Sequence, residues 1–90
     1  MKYRKKPVVI EAYQFNKWDL NDFPKWLYDE IMSNNISANI SIFPKAPSLK
    51  IKTLEGIMEA GIGWWIIKGI KGEIYACEPE IFELTYEKVE

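Results

Sequence analysis

Trp64-Trp65-Ile66-Ile67-Lys68-Gly69-Ile70-Lys71-Gly72-Glu73-Ile74-Tyr75-Ala76-Cys77 is the stretch that decides the fold. Aromatic and β-branched residues fill its two ends, and a glycine-bounded tetrad, Gly69-Ile70-Lys71-Gly72, divides them. That composition predicts a hairpin, with residues 64–68 as one strand and residues 73–77 as its partner. Working back from it, Gly61 and Gly63 open a connection, and Glu55-Gly56 predicts a tight turn between residues 49–53 and residues 57–60. In Leu49-Lys50-Ile51-Lys52 the apolar residues alternate with lysines, so Leu49 and Ile51 face inward and Lys50 and Lys52 face water. Further back, Ile40, Ile42 and Phe43 suggest a short strand stopped by Pro44 and Pro47.

A helix fits residues 22–32. Asn21 or Asp22 can cap it, Pro24 suits its first turn, and Phe23, Leu27 and Ile31 form one apolar stripe with Lys25 and Asp29 facing water. Residues 7–15 read as a strand led by Val8-Val9-Ile10, with Pro7 at its start, where a missing N–H is tolerated. Past the hairpin, Glu78-Pro79-Glu80 starts one helical turn through Phe82 and Leu84, and residues 85–89 are expected to close the sheet as a last strand. The predicted fold is α+β, a single domain over residues 1–90: one main helix packed on a mostly antiparallel, twisted sheet of five or six strands.

The full chain of 90 residues carries a formal net charge of −1, which conceals an asymmetry. Residues 1–52 hold nine Lys or Arg against five acids, and residues 53–90 hold three against eight. A chain that binds a nucleic-acid polymer shows a basic excess, so that partner is not expected. The opposed halves suit segments lying side by side, or head-to-tail contacts between copies. Thirteen aromatics, four of them Trp, are a heavy load for one small core, and some rings are expected at an oligomer interface or a binding face. A lone Cys77 excludes an internal disulfide. No apolar run has the length of a membrane span and no apolar signal region follows the first cations, so a cytoplasmic chain without a membrane partner is expected.

The opening Tyr3-Arg4-Lys5-Lys6-Pro7-Val8-Val9-Ile10-Glu11-Ala12 resembles that of a family of small phage and prophage proteins. The second half carries further matches: Thr53-Leu54-Glu55-Gly56, Trp65-Ile66-Ile67-Lys68-Gly69, Gly72-Glu73-Ile74-Tyr75, Cys77, Pro79, Ile81-Phe82 and Thr85-Tyr86. The resemblance implies a phage-encoded accessory protein in the host cytoplasm. Members of that family commonly carry Gly-Asp before the aromatic of this strand, where this chain has Gly63-Trp64-Trp65, so a ring replaces an acid at Trp64.

Catalytic constellations are not apparent. The chain has no His, which removes the commonest general base and metal ligand. Gly61-Ile62-Gly63 leads into a strand and so lacks the helix N-terminus of a phosphate loop. Glu73, Glu78, Glu80 and Glu83 are read as solvent-facing acids on a hairpin and a short helix, and Cys77 as a structural thiol. Neither an enzyme nor a cofactor is expected.

Two features point to binding. Neighbours on a strand project to opposite faces, so Trp64 and Trp65 cannot enter one core together. Trp65, matching the family aromatic, is assigned the structural role, and Trp64 the free one. The second feature is Tyr3-Arg4-Lys5-Lys6, where the single arginine suits bidentate phosphate recognition; the alternative is that these cations guard an edge strand or pair with the acidic C-terminal half. Lys68 shares a strand face with Trp64 and Ile66, a ring-plus-ammonium pair suited to a nucleotide, and Tyr75 is a further aromatic candidate, as are Tyr13, Trp18 and Trp26. The candidate ligand-binding set is Tyr3, Arg4, Lys5, Lys6, Trp64, Lys68 and Tyr75. The leading expectation is a homo-oligomeric sponge that sequesters a small cyclic nucleotide signal of host defence, by analogy with other small phage proteins. The alternatives are a protein–protein inhibitor of a host complex, and a structural or regulatory phage accessory.

Overall fold

A computed structural model of the chain describes residues 1–4, 6–39 and 47–89. Those residues form two helices and six strands, arranged as two three-stranded antiparallel sheets. The expected strand at Ile40, Ile42 and Phe43, its stop at Pro44, and the side chain of Lys5 lie outside the described residues.

The hairpin forms where the glycines predict it. β5 (Trp65–Lys68) and β6 (Ile74–Cys77) pair antiparallel, with Trp65 opposite Cys77 and Lys68 opposite Ile74. Gly69 donates to the Glu73 carbonyl at 2.8 Å, Gly72 donates to the Gly69 carbonyl at 3.0 Å, and Gly72 adopts φ +83°, a region open to glycine at little cost. β1 (Glu11–Gln14) pairs with the other side of β5, giving the sheet order β1-β5-β6. The ladder runs on past β1: the Phe15 N–H donates to the Trp64 carbonyl at 2.8 Å and the Gly63 N–H to the Phe15 carbonyl at 2.7 Å.

The second sheet has the order β2-β3-β4, from β2 (Ile36–Asn39), β3 (Ser48–Thr53) and β4 (Gly56–Ala60). Leu49 and Ile51 are buried and Lys50 and Lys52 exposed, as the alternation predicts. The single sheet expected from the sequence is thus divided in two. The strands are short, and two small sheets facing each other enclose a dry interior that one open sheet with a single helix leaves half exposed. Phe15, Ile66 and Ala76 from the first sheet meet Ile36, Leu49, Ile51 and Ala60 from the second, with Phe23 and Leu27 closing the side.

α1 (Lys25–Met32) is shorter than expected. Pro24 occupies the cap position with ψ 155°, so neither Asn21 nor Asp22 caps the helix. Phe23 lies before the helix yet still enters the core, Leu27 is fully buried, and Lys25 and Asp29 form an exposed i,i+4 ion pair at 3.2 Å. Asn34, at φ 66°, ends the helix within the Ser33-Asn34-Asn35 run, and the Asn35 N–H returns to the Glu30 carbonyl at 3.1 Å.

The C-terminal expectation is corrected. Residues 85–89 form no strand; instead α2 (Pro79–Thr85) makes nearly two turns, with Pro79 in its first turn and Glu78 before it. Phe82 and Tyr86 recur at i and i+4, and both rings turn onto the sheet: Phe82 stacks on Trp65 at 4.0 Å between centroids and on Tyr86 at 4.9 Å. The Thr85 hydroxyl donates back to the Ile81 carbonyl at 2.7 Å, satisfying a side chain that otherwise favours a strand. Residues 7–10 are also no strand. β5 ends at Lys68, opposite Glu11, and the turn at Gly69 leaves nothing for the preceding residues to pair with.

Candidate functional site

Cross-strand partners share a face, so the register fixes where each side chain points. Glu11, Tyr13 and Phe15 fall with Ile66 on the side that meets the second sheet, while Ala12 and Gln14 fall with Ile67 and Trp65 on the side covered by α2. The sheet carrying β1 is therefore wrapped on both faces, but β1 is an edge strand. Along that edge runs an open groove of about 1100 Å³. Tyr13, Pro24 and Trp26 form one wall, Trp65, Phe82 and Tyr86 the other, and residues 6–12 run along it as its floor and lip.

The ring contacts that shape the groove are specific. The Tyr13 hydroxyl donates to the Asp22 carboxylate at 2.8 Å, and its ring meets Phe23 edge-on at 5.4 Å. Burial, followed by the Asp22 hydrogen bond, pushes the Tyr13 phenol up to about 12. On the opposite wall the Tyr75 and Tyr86 hydroxyls lie 3.2 Å apart, and burial with that contact holds Tyr75 well above the ordinary phenol range. The Trp65 indole N–H is buried without a hydrogen-bond partner among the described residues. Charge along the groove is mixed and slightly acidic, with Lys6 and Lys88 against Glu11, Asp22 and Glu87.

The two indoles project apart, as adjacency on a strand requires, but in the sense opposite to the sequence assignment. Trp64 packs against the core cluster, and Trp65 lies on the other face in the groove wall. The direction follows from the glycine at 63: the Phe15 and Gly63 hydrogen bonds set the phase so that Trp64 leans inward. Of the expected binding residues, Lys6 lines the groove, Tyr3 and Arg4 are exposed on the arm before it, and Lys68 is half-buried on the face of Trp64. Tyr75 touches the groove only through its contact with Tyr86, lining instead a smaller hollow of about 630 Å³ beside Met58 and Lys52. One chain therefore does not bring Trp64, Lys68, Tyr75 and the basic arm together. Trp65, Phe82 and Tyr86 were missed as site residues; the signal was the i, i+4 spacing of Phe82 and Tyr86 after Pro79, which reads as a helix with an aromatic stripe.

Cys77 is half-buried; its thiol faces the Glu78 carbonyl at 3.6 Å, and burial, with the Glu78 charge second, pushes its pKa up. A raised thiol is a poor nucleophile at neutral pH. Among the described residues no group of three or more Cys, Asp or Glu is placed to hold a metal ion, and no helix is long and apolar enough to cross a membrane. No family model, curated protein or solved structure matches the chain.

Proposed function

We propose that this chain is a non-catalytic, phage-encoded binding protein of the host cytoplasm whose ligand, a small cyclic nucleotide, is held in the groove beside β1. The observation that carries this reading is the aromatic wall of Trp65, Phe82 and Tyr86, bordering a groove that also holds Lys6 and Lys88. Its volume of about 1100 Å³ accommodates a ligand of that size. Flat rings accept a base by stacking, and ammonium groups meet phosphate as point charges. A slightly acidic lining implies that a single chain binds an anion weakly, so the proposal places the working form in an assembly of copies. Calorimetry with cyclic dinucleotides, cyclic trinucleotides and ADP-ribose derivatives tests it. Saturable heat with one class, lost in Lys6→Glu at unchanged circular dichroism, is the expected result. No heat with any class rejects it.

A second reading, capture of a host protein, is favoured by the outer face of α2. Ile81 and Leu84 are 53% and 87% exposed there, an apolar patch with Glu80 and Glu83 along one side. Retention of one stoichiometric host protein, abolished by Leu84→Asp, would favour it over the nucleotide.

A further inference from the structure

In a ladder of antiparallel strands the backbone groups of alternate residues point to opposite sides. Phe15 donates across to Trp64, so by alternation Tyr13 and Glu11 also turn toward β5. Ala12 and Gln14 therefore direct their N–H and C=O groups outward, into the groove, where no backbone partner meets them among the described residues. Residues 6–10 lead into β1 without turn or bend, and continuing the alternation of β1 through them would turn Ile10 and Val8 outward as well. A native edge is commonly guarded by a lysine, a proline or a bulge. Val8, Ile10 and Ala12 supply none of these. Pro7 is a proline, but its phase points its missing N–H toward the β5 side, beyond the end of that strand, so it leaves the outer edge intact.

We propose that this edge is the interface between two copies of the chain, whose residues 6–14 pair antiparallel about a two-fold axis at Ile10. This register sets Val8 opposite Ala12 and Pro7 opposite Tyr13, apolar against apolar, and Lys6 of the second copy beside Gln14, the cross-strand neighbour of Trp65. A register centred one residue later would face Glu11 with itself, two like charges directly opposite. The same register sets Val9, 73% exposed in one chain, opposite Glu11 of the second copy.

Charge favours the same occupant. The groove holds three acids against two lysines, whereas Lys2, Arg4 and Lys5 make the arm strongly cationic. Within one chain the ion pairs Lys17–Asp19 and Lys25–Asp29 are local to the basic half. Two copies related by a dyad lay each arm along the other's groove, with Lys6 directed to the face that carries Trp65. The arms thereby bring to the aromatic wall the cations that a single groove lacks. The pairing itself does not depend on the nucleotide reading, and a dimer without nucleotide affinity would reject only the latter.

Parity gives the test. The 90-residue chain, with a mass of 10.6 kDa, is run by sedimentation velocity and native mass spectrometry from micromolar to submillimolar concentration. A dimer is expected. Val8→Pro removes an outward N–H and weakens the dimer at least tenfold, while Val9→Pro, whose N–H points away from the interface, leaves it within about threefold. Both positions precede β1, outside the ladder and the buried core, so the fold survives either change. Arg4→Glu weakens dimerisation further at low salt than at high. A monomer at every concentration, or equal loss in the two proline variants, overturns the proposal.

Discussion

α2 buries no residue fully, yet it forms one wall of the groove, and Phe82 is the ring that joins it to β5. Phe82 lies flat on Trp65, with 6° between planes and 4.0 Å between centroids, and contacts Tyr86 on its other side. Truncating a fully buried Phe to Ala costs ~3–5 kcal/mol. Phe82 is half-buried, so about half of that, roughly 2 kcal/mol, is expected, with ring stacking contributing within that figure. A domain of this length has on the order of 5–13 kcal/mol of stability, so Phe82→Ala remains folded. The loss falls where the ring was: amides of residues 82–86, those bonded within the helix, exchange roughly 30-fold faster, the equivalent of about 2 kcal/mol. Protection at Leu49 and Ile51 falls by no more than the global change, because the core they belong to excludes Phe82. If α2 melts with the rest, the thermal midpoint drops by about 10 °C. Hydrogen exchange by mass spectrometry with a thermal melt reads both, and Leu84→Ala, on the exposed side of the same helix, serves as the neutral control within about 0.5 kcal/mol. Wild-type protection across α2 in Phe82→Ala would refute the reasoning, since it would mean that the helix is held by something other than this stack.

Alkaline pH provides a second check. Tyr13 and Tyr75 keep their protons in the folded chain above the ordinary phenol value of 10.0, so above pH 10 the unfolded chain binds fewer protons than the folded one. Stability is then expected to hold up to that pH and to fall from there upward, through about 12 for Tyr13. Denaturant midpoints at pH 9 and pH 11, with Tyr13→Phe showing a shallower fall, read the effect; a rise in stability over that interval contradicts it. Gly72→Ala meets no atom within 4 Å but must adopt φ +83°, so a cost of about 1–2 kcal/mol by chemical denaturation is expected from backbone strain alone. At pH 8 the Cys77 thiol should react with a disulfide reagent much more slowly in the native chain than in denaturant, and equal rates would show that its burial is not protective.

Local chemistry made part of this fold legible. Glycines bound the β5–β6 hairpin, and the two lysines of β3 alternate with Leu49 and Ile51, so period and punctuation agree. The C-terminal segment misled because Thr85, Tyr86 and Val89 favour strands one at a time, whereas the i, i+4 pairing of Phe82 and Tyr86 has value only once Trp65 is there to receive it. Division into two sheets was not readable for a similar reason: β1 pairs with β5 across some fifty intervening residues, and nothing in either strand names the other.

The indole pair shows where sequence reasoning stops at a site. That Trp64 and Trp65 diverge follows from strand geometry alone, but which one faces the interior is a question of phase. Phase is set by a remote event, the meeting of Gly63 and Trp64 with Phe15. A shift of one residue there would exchange the two rings and move every conclusion about the groove to the other face. The basic arm has the same character. Its charge and its β-branched run are plain in the sequence, and only the register of β1 determines which of its backbone groups look outward. On the proposed pairing Lys6, Val8 and Ile10 form one series, along with the outward edge of Ala12, and Pro7 and Val9 another. Cation and ring, expected within a single strand at Trp64 and Lys68, sit on different segments, and the proposed dyad is the operation that would bring the two together.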